Sequence, residues 1–271
     1  AIMGGAGGQV GSSVLAAPFN VGGVAAYVPV LVEIDGTSLM AGSADGTMPV
    51  ELYAYAISTT GEVSDFFVRA LGLDLAQAGP ALQQSGFKYF GHFDLMPGTY
   101  EVRVMVRNGS TGATGVATSS LRVPDFDAGD PLVLPLMFPE PQGKWLVGLE
   151  SEEERQGYPY PFMMQGAPFM PAARPVVRPG ETSRISLMAY KLRGGVTDVS
   201  AAIYDYEGNR VADVDVVLDQ QESGQDTSMT QYHGSCSLPS VDQGSYKLEV
   251  TLEDPGSGTQ QTSAIEVLVS G

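Results

Sequence analysis

One strand pattern occurs twice in this 271-residue chain, and it restricts the fold more than any other feature of the sequence. The first copy reads Pro-Gly-Thr-Tyr-Glu-Val-Arg-Val-Met-Val from Pro97, and the second reads Gln-Gly-Ser-Tyr-Lys-Leu-Glu-Val-Thr-Leu from Gln243. In each copy a turn glycine precedes a tyrosine, and apolar residues then occupy every second position. A period of two entered from a turn predicts a half-buried β-strand. The chain is therefore predicted to contain two copies of one β-domain.

Each half offers about seven short strands joined by turns, the number typical of an immunoglobulin-like sandwich. Tyr100 and Tyr246 stand two positions after the turn glycine, at the entry to a late strand. This placement resembles the tyrosine corner of that fold, and ordinary strand aromatics are the alternative interpretation. The predicted fold is all-β, with two tandem immunoglobulin/fibronectin-III-like β-sandwich domains.

Composition divides the chain into three predicted parts. Residues 1–20 form a Gly/Ala-rich N-terminal segment, residues 21–140 a first sandwich that ends in a Pro-rich linker at 124–141, and residues 141–271 a second sandwich. The N-terminal segment has two interpretations: it packs along its own sandwich, or it adds a strand to another chain. Residues 74–86 are the one predicted helical excursion of the first half.

The net charge is −17, and it is spread over both halves. Up to Glu140 there are 5 basic and 13 acidic residues, and after it 9 and 18. Binding of nucleic acid needs clustered Lys and Arg, so nucleic acid is excluded as the expected partner. No apolar stretch approaches the length of a membrane helix, so no membrane span is predicted. Acidity of this kind is most simply explained by solubility.

The candidate catalytic groups are few. His92 lies in a predicted strand beside Phe93, and His233 lies three residues from Cys236. A Cys–His pair can form a nucleophile, but it also needs an orienting group and an oxyanion site, and this spacing is not diagnostic. Gly-x-Ser-x-Gly, His-Glu-x-x-His and Gly-x-x-x-x-Gly-Lys do not occur. We expect no enzyme activity, no catalytic residue and no organic cofactor.

One loop suggests a metal. Asp125, Asp127 and Asp130 alternate in Asp-Phe-Asp-Ala-Gly-Asp, as carboxylates do in hard-cation sites. These three residues are therefore calcium candidates, and a solvated turn is the alternative interpretation.

A stretch from Tyr158 to Met170 combines aromatic residues, methionines and prolines with almost no charge. As a loop it would expose a sizeable apolar patch, and such patches usually contact something. Its two interpretations are a groove between the two domains and a surface for a partner protein. The predicted interaction residues, including three from the N-terminal segment, are Val14, Leu15, Phe19, Tyr158, Tyr160, Phe162, Met163, Met164, Phe169 and Met170.

Several stretches resemble a known bacterial family. They are Val-Pro-Val-Leu-Val-Glu-Ile-Asp-Gly from Val28, Phe-Lys-Tyr-Phe-Gly-His-Phe-Asp-Leu-Met-Pro-Gly-Thr-Tyr from Phe87, Val-Arg-Asn-Gly-Ser-Thr-Gly from Val106, Val-Pro-Asp-Phe from Val123, and Phe-Met-Pro-Ala-Ala-Arg-Pro-Val-Val-Arg-Pro-Gly from Phe169. Together they resemble the region that follows the von Willebrand factor A domain in VWFA-related proteins of Acidobacteria and similar bacteria. The resemblance spans most of residues 18–271.

The resemblance implies an exported or cell-surface bacterial protein without known catalysis. The metal-dependent adhesion motif of the A domain, Asp-x-Ser-x-Ser, is absent, so metal-dependent adhesion is not carried over. We expect the chain to be a C-terminal part, or a processed product, of a longer precursor whose signal region is not in this chain.

The expected function is that of a non-enzymatic extracellular structural or assembly module, a candidate subunit of a cell-surface or filamentous assembly. The expected partner is a protein, with self-association through the N-terminal segment. The alternative is an adhesion module that binds protein or carbohydrate.

Overall fold

The structure is a computed structural model that describes residues 7–129, 131–140, 143, 145–151, 157–192, 198–223, 229–254 and 258–271. Strands make up 60% of it and helices 7%. The predicted all-β class is therefore confirmed.

Twenty-one strands and two helices occur in the described residues. In chain order they are β1 (Gly7–Gly8), β2 (Ser12–Ala16), β3 (Ala26–Ile34), α1 (Gly36–Met40), β4 (Thr47–Ser58), β5 (Val63–Asp74), α2 (Leu75–Ser85), β6 (Phe87–Leu95), β7 (Gly98–Asn108), β8 (Thr114–Val123), β9 (Leu132–Val133), β10 (Pro139–Glu140), β11 (Leu146–Leu149), β12 (Met163–Met164), β13 (Ala167–Pro168), β14 (Met170–Pro171), β15 (Val176–Val177), β16 (Thr182–Tyr190), β17 (Asp198–Tyr204), β18 (Arg210–Ser223), β19 (Met229–Ser237), β20 (Gly244–Asp254) and β21 (Thr259–Val269).

The chain forms two compact units, and their boundaries differ from the predicted ones. The N-terminal unit takes its described residues from 2–123 and 141–161, and the C-terminal unit takes its own from 124–140 and 162–271. The predicted linker at 124–141 does not simply join two domains. Its residues up to 140 belong to the C-terminal unit, where β9 pairs with β16. The apolar run 132–138 is buried there except at Pro135.

Two sheets form the N-terminal unit. One has the strand order β1-β8-β7-β4-β5, and the other has the order β11-β6-β3-β2. The inner side chains alternate along each strand, as half-buried strands require. In β4 this inner row is Val50, Leu52, Ala54 and Ala56, all fully buried. Among the described strands of this unit, β11 is the one that runs parallel to its neighbour, β6.

The N-terminal segment packs along its own unit. Strand β2 pairs antiparallel with β3, from Ser12 opposite Ile34 to Ala16 opposite Val30. Strand β1 pairs with β8. Of the two interpretations of this segment, packing on its own sandwich is the one observed from residue 7 onward, and residues 1–6 lie outside the described part of the chain.

The C-terminal unit has the strand order β15-β21-β20-β17-β18-β19-β16-β9, with strand β18 in the middle. The first part of β18, up to Val214, pairs with β17, and the rest of β18, from Asp215, pairs with β19. One long strand thus contributes to two sheets, with a register shift after Leu218. Strand β15 pairs parallel with β21.

The duplicated tyrosines make the same contact in both units. Tyr100 Oη donates to the Met96 carbonyl oxygen at 2.8 Å, and Tyr246 Oη donates to the Asp242 carbonyl oxygen at 3.0 Å. Each bond reaches back four residues from the start of a strand, β7 or β20, that occupies the same place between its neighbours. This is the geometry of a tyrosine corner, so that interpretation of the repeated motif is confirmed.

Both helices lie in the N-terminal unit. The predicted excursion at 74–86 is α2, whereas α1 was not expected from the sequence. Asp35 caps α1 by accepting a hydrogen bond from the Ser38 N–H at 2.8 Å. Gly36 lets α1 approach α2, because a Cβ there would lie 1.9 Å from the Leu82 carbonyl oxygen. Neither helix is long and apolar enough to cross a membrane.

We predict that Tyr100→Phe lowers the free energy of unfolding by about 1–2 kcal/mol, since a buried hydroxyl–carbonyl bond is lost. Tyr246 is less buried, so Tyr246→Phe should cost the same or less. Calorimetry measures both. The control is Tyr206→Phe, in a ring that is 73% exposed, which should change stability by less than about 0.5 kcal/mol. Equal effects in all three variants would contradict the assigned role.

We predict that Leu15→Ala destabilises the monomer by about 2–4 kcal/mol, since Leu15 is buried in the N-terminal unit. Urea unfolding followed through Trp145, the single tryptophan of the chain, reports on this unit. Val24→Ala, at a residue 71% exposed, is the matched control. If Leu15 instead served a contact with another chain, the substitution would leave monomer stability unchanged and would reduce the oligomer.

Candidate interaction surface

The predicted interaction residues of the N-terminal segment do not form a surface. Val14, Leu15 and Phe19 are all buried within the N-terminal unit. Phe19 also forms a two-way backbone bridge with Tyr27, with N–H to carbonyl distances of 2.7 and 3.1 Å. Self-association through these side chains is therefore wrong, because they already belong to the core.

The two predicted tyrosines cover one sheet of the N-terminal unit. The centroid of the Tyr158 ring lies 4.5 Å from that of Tyr27 and 5.7 Å from that of His92. The Tyr160 ring lies 5.3 Å from Phe90. All three partners lie on the outer face of β3 and β6. The tyrosines therefore pack on their own unit instead of facing solvent as a loop would.

The remaining residues of the Met- and aromatic-rich stretch belong to the C-terminal unit. Phe162 and Phe169 are buried with their ring centroids 6.1 Å apart. Met163, Met164 and Met170 are half-buried in β12 and β14. Of the two interpretations of this stretch, the burial of these side chains argues against an exposed surface for a partner protein, because the stretch divides between the two units and packs on each.

The calcium candidates form an ordinary turn as far as they are described. Asp125 Oδ1 accepts hydrogen bonds from the N–H groups of Asp127 and Ala128, at 3.0 and 2.9 Å. Asp130 lies outside the described residues. No group of three or more His, Cys, Asp or Glu residues that could hold a metal ion occurs in the described parts of the chain.

A polar cluster made by β5 and β6 fixes Glu150 beside β6. The Glu150 carboxylate is buried, with Oε2 at 2.5 Å from His92 Nδ1 and Oε1 at 3.0 Å from Arg69 Nη2. Arg69 Nε in turn donates to the Tyr89 hydroxyl at 2.7 Å. Because a buried charge is costly unless it is paired, this network explains why an acidic residue can follow β11 into the unit.

His92 acts here as a partner of a carboxylate. Burial by itself lowers the pKa of His92, but the hydrogen bond that His92 donates to Glu150 and the negative charges of Glu150, Asp94 and Asp65 outweigh it, so the pKa is raised. The other candidate group is Cys236, three residues from His233. Burial raises the pKa of the Cys236 thiol to about 12, so the thiolate is rare at neutral pH.

A second buried ion pair lies on the same outer face. Lys88 is fully buried, with Nζ at 2.5 Å from Glu33 Oε1. The Trp145 ring lies over Lys88, 4.4 Å from Nζ to its centroid. Glu33 and Lys88 are direct cross-strand neighbours of β3 and β6. The segment described at 145–151 and 157–161, named here the return segment, therefore covers this face from Trp145 to Tyr160.

The other sheet of the N-terminal unit carries an uncovered apolar face. Its side chains point away from the core along β5, β4, β7 and β8. Phe66 and Val68 on β5 are 60% and 43% exposed. They stand directly opposite Tyr55 and Tyr53 of β4. The next strands continue this surface with Met105, opposite Tyr53, and Val116, opposite Met105. We name this surface the aromatic face.

Two ion pairs flank the aromatic face. Arg107 Nη1 donates to Glu51 Oε2 at 2.9 Å, and the Tyr53 hydroxyl donates to the same carboxylate at 3.1 Å. These two hydrogen bonds hold the pKa of Glu51 below its usual value. At the other end, Arg103 Nη2 lies 2.5 Å from Glu101 Oε1. A charge pair thus lies toward each end of the apolar rows, and Arg103 of the second pair stands in the Tyr55 row.

The edge strand of this sheet is protected by its own side chains. The Phe66 N–H donates to Asp65 Oδ1 at 2.8 Å, and the Val68 carbonyl oxygen accepts from Arg69 Nη1 at 2.9 Å. These backbone groups are therefore already occupied. Charged side chains of this kind discourage pairing with a further strand, so the face is better suited to docking than the edge.

Sequence reasoning missed the aromatic face. A signal for it was present, since 50–57 alternate a fully apolar row with Glu51, Tyr53, Tyr55 and Ile57. The unusual feature is that aromatic residues occupy the positions of this alternating strand that face solvent. The pattern alone does not say whether another element covers them.

The comparisons with known proteins add little. The chain matches no protein-family model and no curated protein. Among solved structures it is similar to "Rst D1-D2", with 12% identity, 95% of this chain and 100% of that chain covered, and a TM-score of 0.23. It is also similar to a protein of unknown function from Porphyromonas gingivalis W83, with 11% identity, 97% and 100% coverage, and a TM-score of 0.25. Similarity at this level carries no argument about function.

We predict a pH dependence from the His92–Glu150 pair. Because the folded-state pKa of His92 is raised, the pair's stabilisation is fully present below the unfolded pKa of about 6.5 and is lost as the pH rises through the folded value. Denaturation of the wild type and of His92→Asn from pH 5.5 to 9 measures it. The stability difference between the two should shrink with rising pH. Glu150→Gln should abolish most of this dependence, and a difference that grows with pH would contradict the assignment.

Proposed function

We propose that this chain is a non-enzymatic structural or assembly module that works outside the cell or at the bacterial cell surface, through protein–protein contact at the aromatic face. In this view it is a subunit of a cell-surface or filamentous assembly. The contact belongs to the aromatic face, in place of the N-terminal segment that the sequence favoured.

A single observation carries the proposal: Phe66, Val68, Tyr53 and Tyr55 form a continuous aromatic and apolar surface on one sheet. Aromatic side chains are enriched in the cores of protein interfaces. Contiguous exposed apolar surface of this kind marks interaction sites in soluble proteins. The flanking ion pairs supply the polar rim that such interfaces have.

Two further points support a role without catalysis at the surface of a bacterium. The chemically versatile side chains serve structure: His92 pairs with Glu150, and the Cys236 thiol stays protonated. The location rests on the sequence resemblance to VWFA-related proteins.

The alternative is an adhesion module that binds protein or carbohydrate. The residues expected from sequence to stack on a sugar, Tyr158 and Tyr160, pack on their own unit. Tyr55 and Phe66 offer a different platform, with ring planes inclined by 22° and centroids 6.2 Å apart. A specific glycan that requires these two rings would favour this alternative.

We predict that Phe66→Ser, combined with Val68→Ser, removes the protein's interaction at this face. Light scattering coupled to size exclusion, over a concentration series, reports self-assembly, and protein and glycan arrays report other ligands. Whichever interaction the wild type shows, self-assembly or binding of another ligand, its affinity should be at least about tenfold weaker in the double variant, because residues in the core of an interface contribute most of the binding energy.

Leu149→Ser is the matched control, since Leu149 is 56% exposed on the other sheet of the same unit. It should leave the interaction unchanged. Retention of all interactions by the double variant, with its melting temperature intact, would contradict the proposed function.

A further inference from the structure

The side chains of the aromatic face are arranged in regular rows, and this arrangement indicates what kind of surface could bind there. The outward-facing residues of β4 and β7 stand opposite each other in four rows: Glu51 with Arg107, Tyr53 with Met105, Tyr55 with Arg103, and Ile57 with Glu101. The two middle rows extend onto β5 as Val68 and Phe66. Aromatic and apolar side chains thus dominate the centre, and opposite charges of β7, Arg107 and Glu101, mark its two ends.

These two charged residues have unused bonding capacity. Arg107 uses Nη1 for Glu51, and a guanidinium has five N–H donors. Glu101 accepts both bonds from Arg103 on Oε1, so Oε2 makes no hydrogen bond in the described structure. Their side chains are 43% and 46% exposed. Each can therefore take a further partner from outside the chain.

Charge limits which protein can dock here. The chain carries −17 overall, yet this face holds two carboxylates and two guanidiniums in balanced pairs. Two copies of so acidic a chain repel each other over most of their surface. They can approach where local charge is balanced, and they attract where opposite charges meet.

The size of the face also suits a pairing of two copies. Its four strands have 10 to 12 residues each. At about 3.3 Å per residue and about 4.8 Å between strands, the face measures roughly 700 Å². A standard stable interface buries about 800 Å² on each partner. The whole outer surface of these four strands is therefore close in size to one side of a standard dimer contact, and the aromatic face is its central part.

We propose that the aromatic face binds the same face of a second copy of this chain, about a two-fold axis that lies between the sheets and perpendicular to their strands. This inference rests on the proposed function and names its partner. The contact is isologous, so each residue pair occurs twice.

The two-fold operation follows from the rows. An axis perpendicular to the strands, level with Val104, inverts the order of the rows. Tyr53 of one copy then meets Tyr55 of the other, and Val68 meets Phe66. Arg107 of each copy meets Glu101 of the other. The aromatic and aliphatic side chains then bury one another, Arg103 of each copy lies over Met105 of the other, and the charges at the two ends are paired.

Charge exchange tests this arrangement sharply. Glu101→Arg and Arg107→Glu, tested singly, each place like charges together twice, and each should weaken self-association at least about tenfold. An equimolar mixture of the two single variants should associate as a heterodimer within about threefold of the wild type, since both contacts are again opposite in sign. Analytical ultracentrifugation of the full chain measures all of them. Their exposed positions keep folding unaffected, which melting curves verify.

Glu51→Arg is the control, because Glu51 meets Ile57 across this axis and the substitution leaves both Arg107–Glu101 contacts in place; alone, it should self-associate at about wild-type strength. Mixed with Arg107→Glu, it should form no heterodimer of that strength, since two carboxylates still meet at one of the two charged contacts. Rescue of Arg107→Glu by Glu51→Arg, in place of rescue by Glu101→Arg, would overturn the stated axis.

The outcome also separates the two proposals. A wild type that stays monomeric at submillimolar concentration overturns the second-copy partner. If a defined protein or glycan then binds the wild type and Leu149→Ser but not the Phe66/Val68 variant, the proposed function stands alone. If the Phe66/Val68 variant changes no interaction, both proposals fall.

Discussion

The outer face of β3 and β6 has to be covered, and much of the chain's path follows from this. Tyr27 and Phe90 lie there beside Lys88 and His92. Exposure to water would be unfavourable for the two aromatic rings, and burial without a partner would be unfavourable for the two groups that can carry a charge. The return segment solves both problems at once. Its aromatic rings cover the apolar side chains, and its Glu150 supplies the carboxylate that His92 and Arg69 need. After Val123 the chain leaves this unit, and the described residues of the return segment, from Trp145 on, belong to it again and cover this face.

The parts of this fold that local sequence determines were predictable. A turn glycine, a tyrosine and a period of two specify β7 and β20, and the two tyrosine hydroxyls then reach carbonyl oxygens at equivalent places. Alternation likewise predicts β4 and its buried row. These features depend on neighbours within a few positions in the chain, where spacing and side-chain direction are fixed by the strand itself.

The parts that depend on distant contacts were not predictable from the same patterns. Prolines at 124–141 indicate a linker by composition, yet the apolar run beside them is buried in the C-terminal unit. The sequence leaves two interpretations for Tyr158 and Tyr160 because nothing near them in the chain covers them; their partners, Tyr27 and Phe90, lie about 70 to 130 positions earlier in the chain. Composition shows that a segment has apolar side chains to bury, but the elements on which they pack are known only from the three-dimensional fold. The candidate surface was missed for the converse reason, since alternation places Tyr55 on the outer row of β4 but does not show whether another element covers it.

The outer faces of the two sheets of the N-terminal unit thus differ: one is covered by the chain itself and the other is not. This difference bears on function. One outer face combines ion pairs with a covering segment from the same chain. The other keeps Phe66 and Val68 in solvent while Asp65 and Arg69 occupy backbone groups of the adjoining edge. A sheet that needed only solubility would carry polar residues in place of Phe66. A sheet open to any strand would leave that edge unprotected and invite uncontrolled polymerisation. An occupied edge beside an uncovered aromatic face fits the proposed face-to-face association, in which side chains would set the register instead of backbone pairing.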